Sequence, residues 1–136
     1  MPEVSETAPK MSGVVSYIMV SDARAATALY EKAFGAKIIQ QLPMEDGKRL
    51  MHCHLEINEG AFMIHDPMPE HGMPLVKAQA VTLHLPVDDP ELWWKRAVDA
   101  GMEVTLDLHV AFWGDQYGQF RDPFGLLWAV VGPVKK

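Results

Sequence analysis

Apolar and polar residues alternate along this chain in short runs, and the pattern repeats itself at an offset of about 67 residues. Residues 14–20 (VVSYIMV) alternate with the period of a strand, and Asp22 then offers a carboxylate to the free N–H groups of a helix start. About three helical turns follow before Gly35, and Ala36, Ile38 and Leu42 open a second strand. The same order recurs from residue 81: a strand over 81–87, a helix start at Asp89 with Pro90 in the first helical position, a stop at Gly101, and Met102, Val104 and Leu108 on the next strand. Two more strand-like runs complete each half, 49–57 and 61–65 in the first, 116–121 and 126–131 in the second. The pattern predicts an α+β protein of two tandem βαβββ modules. Its expected organisation is a flexible N-terminal arm over 1–13, a first module over 14–66, a linker over 67–79 rich in Pro and Gly, and a second module over 80–132.

Charge narrows the partners. The chain has 136 residues with 12 Lys+Arg against 18 Asp+Glu, a formal net charge of −6, and both halves share the excess: five bases and seven acids over 14–66, five and eight over 79–136. No basic stripe is available for a phosphate backbone, so nucleic acid is not an expected partner. The lone Cys53 leaves no internal disulfide and no CxxC zinc knuckle, which fits a reducing cytoplasm. The polar first ten residues lack an apolar export core, and no apolar run approaches the ~20 residues of a membrane span. There is no phosphate-cradling glycine loop and no Ser-His-Asp spacing.

Two βαβββ modules with these helix starts resemble the vicinal oxygen chelate superfamily of glyoxalases, bleomycin resistance proteins and dioxygenases, over residues 14–131. Within it, ALYEKAFGA (28–36), MHCHLEI (51–57) and above all FWGDQYGQFRDPFGLLW (112–128) resemble the PhnB-like branch. The resemblance implies a curled mixed sheet with helices on its outer face, a concave side that holds a ligand or metal, and a homodimer. Metal-dependent members place a His or Glu on the first and last strand of each module. Those four columns fall here on Val15, Met63, Thr82 and Ala129, so neither a metal nor another cofactor is expected.

Strand alternation then sorts the side chains relative to those columns. Val15, Tyr17 and Met19 share the concave face, as do Thr82 and His84; Ser16, Ile18, Val20, Val81, Leu83, Leu85 and Val87 face the helices. On the third strand His52, His54 and Glu56 oppose an apolar side of Met51, Cys53, Leu55 and Ile57, and on the fourth Met63 and His65 oppose Phe62 and Ile64. Four of the six histidines thus fall on one kind of face. A two-residue loop at Glu59-Gly60 would set His54 opposite His65 and Glu56 opposite Met63. Trp93, Trp94 and Trp128 read as core, Asp122, Pro123 and Gly125 as turn chemistry, and Cys53 as a buried, poorly nucleophilic thiol. Trp113, in a loop with Phe112, Asp115 and Tyr117, can rim a pocket.

The candidate ligand-binding residues are therefore Tyr17, His52, His54, Glu56, Met63, His65, His84 and Trp113. They fit a metal-independent protein that binds or sequesters a small hydrophobic or antibiotic-like molecule, whose apolar body lies among aromatic and methionine side chains while the polar cluster orients it. The competing expectation is a lyase, isomerase or dioxygenase-like enzyme using the histidines as general acid or base, or around a displaced divalent metal. Protonation of the cluster below about pH 6.5 would favour anionic ligands.

Overall fold

The structure, a computed structural model, describes residues 11–135. Most of the expected N-terminal arm, residues 1–10, lies outside the described residues. The chain divides into two compact units, one over residues 11–31 and 35–78, the other over 32–34 and 79–135.

In the first unit the order is β1 (Tyr17–Met19), α1 (Ala23–Phe34), β2 (Lys37–Pro43), β3 (Leu50–Ile57) and β4 (Gly60–His65). The sheet runs β1-β4-β3-β2, with β1 parallel to β4 and the other pairs antiparallel. The helical crossover leaves β2 running in the same direction as β1, and the two antiparallel turns β2–β3 and β3–β4 reverse the chain twice, so β4 again runs parallel to β1 and can pair with it. Helix α1 begins where Asp22 Oδ1 accepts the Ala25 N–H at 3.0 Å. It ends at Gly35, whose φ of 65° suits a residue without a Cβ. Ala23, Ala26, Tyr30 and Ala33 recur at helical spacing and are fully buried, Tyr30 meeting Phe62 edge-on at 5.9 Å. Buried Asp66, just past β4, ties the unit together: one carboxylate oxygen accepts the Ala23 N–H at 2.8 Å and the other the Leu50 N–H at 2.7 Å.

The β3–β4 hairpin corrects the expected register. Its two loop residues are Asn58 and Glu59, both with positive φ (50° and 66°), and Gly60 is already in the strand opposite Ile57. Asn tolerates the left-handed region that a primed turn demands, so the turn settles one residue earlier. His54 therefore faces Met63, and Glu56 faces Ala61. A second correction concerns Met51, which is exposed while Leu50 is buried, because the β2–β3 register slips between Leu42 and Pro43 and reverses the alternation there. Strand β1 is shorter than its apolar run, leaving Val14 exposed ahead of it.

The second unit repeats the plan: β5 (Thr82–Pro86), α2 (Pro90–Asp99), β6 (Glu103–Val110), β7 (Gln116–Arg121) and β8 (Leu127–Gly132), in sheet order β5-β8-β7-β6 with β5 parallel to β8. Asp89 Oδ1 accepts the Leu92 N–H at 3.2 Å, and Gly101 takes a φ of 96° just past the helix. Val81 precedes β5 and is exposed, so the expected helix-facing set reduces to Leu83, Leu85 and Val87. The core holds Phe120, Trp128, Ala129 and Val130, with Phe34 against Trp128 (4.7 Å) and Trp93 (6.1 Å), and Trp94 against Phe120 (5.5 Å). Each such ring removed from water contributes roughly 1.5–3 kcal/mol. A Cβ at Gly118 would lie 2.5 Å from the Trp94 ring, so a glycine is required where that indole crosses the sheet. Asp122 closes the β7–β8 turn, Oδ1 accepting the Phe124 and Leu126 N–H groups and Oδ2 the Trp128 indole N–H at 2.9 Å.

Both units are thus four-stranded mixed sheets with one helix start each, an α+β architecture in which neither sheet closes into a barrel. Among the described residues no helix is long and apolar enough to cross a membrane.

Candidate functional site

The first sheet gathers six of the eight candidate residues on the face away from Cys53, Leu55, Phe62 and Ile64. In register, Tyr17 on β1 pairs with Met63 on β4, which pairs with His54 on β3, which pairs with Gln40 on β2. The neighbouring row brings Met19 beside His65, and Leu42 beside His52. Tyr17, 49% exposed, sends its ring across this surface, edge-on to His52 (centroids 5.3 Å) and to His65 (5.1 Å). Its hydroxyl lies 2.9 Å from His52 Nδ1.

The three imidazoles differ in what holds them. His65 is buried, and its Nδ1 lies 2.9 Å from the Asp66 carbonyl oxygen. A carbonyl only accepts, so Nδ1 carries the proton and Nε2 of the neutral ring is the lone-pair nitrogen. His52 shares its Nδ1 with a phenol that can donate or accept. His54 is only 4% exposed, and its Nε2 has no hydrogen-bond partner among the described residues. Burial is the larger cause that lowers the pKa of His52 and His54, and neighbouring imidazoles add to it: His65 beside His52, His52 beside His54. Burial also raises the Tyr17 phenol. The pH at which these two rings gain protons is therefore lower than the ordinary imidazole value assumed from sequence.

Glu56 stands one row towards the hairpin, between Lys37 and Ala61 in register, and lies apart from the tyrosine contacts. His84 and Trp113 belong to the second unit, where both meet Tyr117: His84 at 6.1 Å, and Trp113 edge-on at 5.6 Å. His109 joins the same ring at 6.5 Å, and Gln119 Nε2 donates to the Tyr117 hydroxyl at 2.9 Å. Tyr117 is the hub that sequence reasoning left out of the site. Its signal was readable in QYGQFR, where Tyr117 and Gln119 alternate against buried Gly118 and Phe120. Phe112, 99% exposed, caps the row against Trp113 at 5.0 Å.

The metal columns do not fit a divalent ion. Val15 and buried Ala129 have no donor atom, Met63 offers a soft thioether and Thr82 a neutral hydroxyl. Tyr17 sits directly beside the Met63 column and His84 beside the Ala129 column, so polar groups flank these positions without occupying them. Among the described residues, no three His, Cys, Asp or Glu side chains are grouped to hold a metal ion. Cys53 is buried beside Thr27 Oγ1 (3.6 Å), and burial pushes its thiol pKa up, the condition of an inert thiol.

Residues 11–130 match the model of the glyoxalase/bleomycin resistance protein/dioxygenase superfamily. The chain belongs to that superfamily. It is similar to an uncharacterized protein of Mycobacterium bovis, with 36% identity over 126 residues that cover 88% of this chain and 82% of the relative. Among solved structures it resembles protein PA1353 from Pseudomonas aeruginosa (TM-score 0.75, 25% identity, 90% of this chain and 98% of that one). It also shares its fold with TioX from Micromonospora sp. ML1 (TM-score 0.72, 22% identity, 91% and 100%).

Proposed function

We propose that this protein binds a small molecule without the help of a metal, as a member of the PhnB-like branch of its superfamily. The observation that carries this reading is the Tyr17, His52, His54 and His65 cluster on one face of the first sheet, beside metal columns that lack ligands. Methionines 19 and 63 and the tyrosine ring supply apolar contact, and the imidazoles supply orientation. The ligand is of hydrophobic or antibiotic-like type, in keeping with the bleomycin resistance members that give the superfamily part of its name. The protein acts in the cytoplasm as a homodimer, without nucleic acid or membrane.

The test has two arms. Elemental analysis of the purified protein is expected to find well under one equivalent of transition metal; stoichiometric nickel, zinc or iron lost on His65→Ala would overturn the reading. A thermal-shift screen of small molecules is expected to yield stabilisers whose effect shrinks in His54→Ala, and equal shifts in the variant would remove His54 from the site.

A second reading is favoured by one contact. His52 Nδ1 lies 2.9 Å from the Tyr17 hydroxyl, and burial, which lowers the pKa of this imidazole, favours the uncharged ring that an enzyme would use as a general base.

A further inference from the structure

We infer that the imidazole face of the first sheet selects a ligand hydroxyl on an aromatic body, a phenol-class group held between His65 and His54; this rests on the small-molecule reading above. Three observations lead there. The hydrogen bond from His65 Nδ1 to the Asp66 carbonyl leaves Nε2 as an acceptor for an incoming O–H. His54 Nε2 is buried with no partner among the described residues, and no hydrogen bond fixes its proton, so it can donate to the oxygen of that same hydroxyl. Buried polar atoms in folded proteins are otherwise nearly always paired, which makes this nitrogen the atom that waits for a ligand.

The two rings are diagonal neighbours across the β3–β4 ladder, because His54 faces Met63 and His65 follows two residues later on the same face. That spacing leaves room for one small polar group between them. Around it lie Met63 beside His54, Met19 beside His65, and the Tyr17 ring edge-on to His65 at 5.1 Å, contacts suited to an aromatic ring rather than to a sugar or a peptide. An anion is disfavoured. Among the described residues the one cation in register on this face, Lys37, stands opposite Glu56, and the lone pair at His65 Nε2 repels a carboxylate.

The probes are phenol, anisole and benzoate, titrated at about pH 8 while the ring carbon resonances of His54 and His65 are followed by NMR. Phenol is expected to shift both resonances and to bind about tenfold tighter than anisole, which keeps the ring and loses the donor. Benzoate is expected to leave both resonances unmoved. In His65→Phe, which removes the acceptor of the phenol O–H, the preference for phenol over anisole should collapse. If phenol and anisole bind the wild type equally well at these resonances, hydroxyl selection is wrong while small-molecule binding stands. If none of the three perturbs either ring up to its solubility, both fall. The comparison within the wild type needs no variant to fold.

Discussion

Tyr17 and His52 stand on β1 and β3, two strands that do not touch in the sheet, yet the phenol oxygen reaches across β4 to within 2.9 Å of His52 Nδ1. A tyrosine can span that gap because its hydroxyl lies far from the backbone, and both rings turn edge-on where they meet. The pair therefore joins the parallel edge of the first sheet to its centre by side chains alone.

His52 and His54 both hold a proton less readily in the folded chain than in the unfolded one. As pH falls below the ordinary imidazole value of about 6.5, the unfolded state takes up protons first, so stability is lost from there down through the lowered folded values, and is fully present above. Urea denaturation is expected to give a lower unfolding free energy at about pH 5.5 than at about pH 7.5. The difference should shrink in a His52→Gln, His54→Gln double variant. An identical pH dependence in that variant would assign the effect to other groups.

Asp122 accepts two backbone N–H groups and the Trp128 indole inside the second unit. Asp122→Asn keeps one oxygen but turns an amide NH2 towards the indole N–H, setting donor against donor. The expected cost is about 2 kcal/mol by chemical denaturation. In a Trp128→Phe background the same change should cost about 1 kcal/mol less, since the indole donor is gone. Equal costs in both backgrounds would show that the indole bond contributes nothing.

Ala80 adopts a φ of 58°, in the left-handed region where a Cβ is strained, at the start of the second unit. Ala80→Gly relieves that strain against a smaller rise in unfolded-chain entropy. A gain of roughly 0.5–1 kcal/mol is expected, read as a melting temperature about 2–5 °C higher. A lower melting temperature would mean that position 80 is not held left-handed in solution.

The parts of this fold legible in the sequence are those governed by neighbouring residues. Asp22 and Asp89 mark the helix starts because a cap bonds to amides two or three positions on, and Gly35 marks a stop because its conformation is its own. The hairpin falls one residue earlier than alternation suggests because Asn58-Glu59 and Glu59-Gly60 are both acceptable loops, and both keep Phe62 and Ile64 on the same face, so the apolar pattern alone does not distinguish them. Local alternation puts Met51 on the wrong face because the slip that turns it outward lies in the pairing of β3 with β2, where Leu50 meets Pro43 and His52 meets Leu42. In the candidate site, alternation placed His52, His54 and His65 together. It could not show that Tyr17 bridges two strands, that Asp66 fixes a tautomer, or that Tyr117 gathers His84 and Trp113.

Asp66 carries two duties at adjacent atoms. Its carboxylate clamps the first turn of α1 to the start of β3, while its main-chain oxygen sets which nitrogen of His65 is bare. The second duty survives any side-chain replacement and the first does not. A deep mutational scan scored on ligand response would therefore flag position 66 as strongly as the histidines, for reasons of folding alone, whereas abundance and response measured together would separate the two.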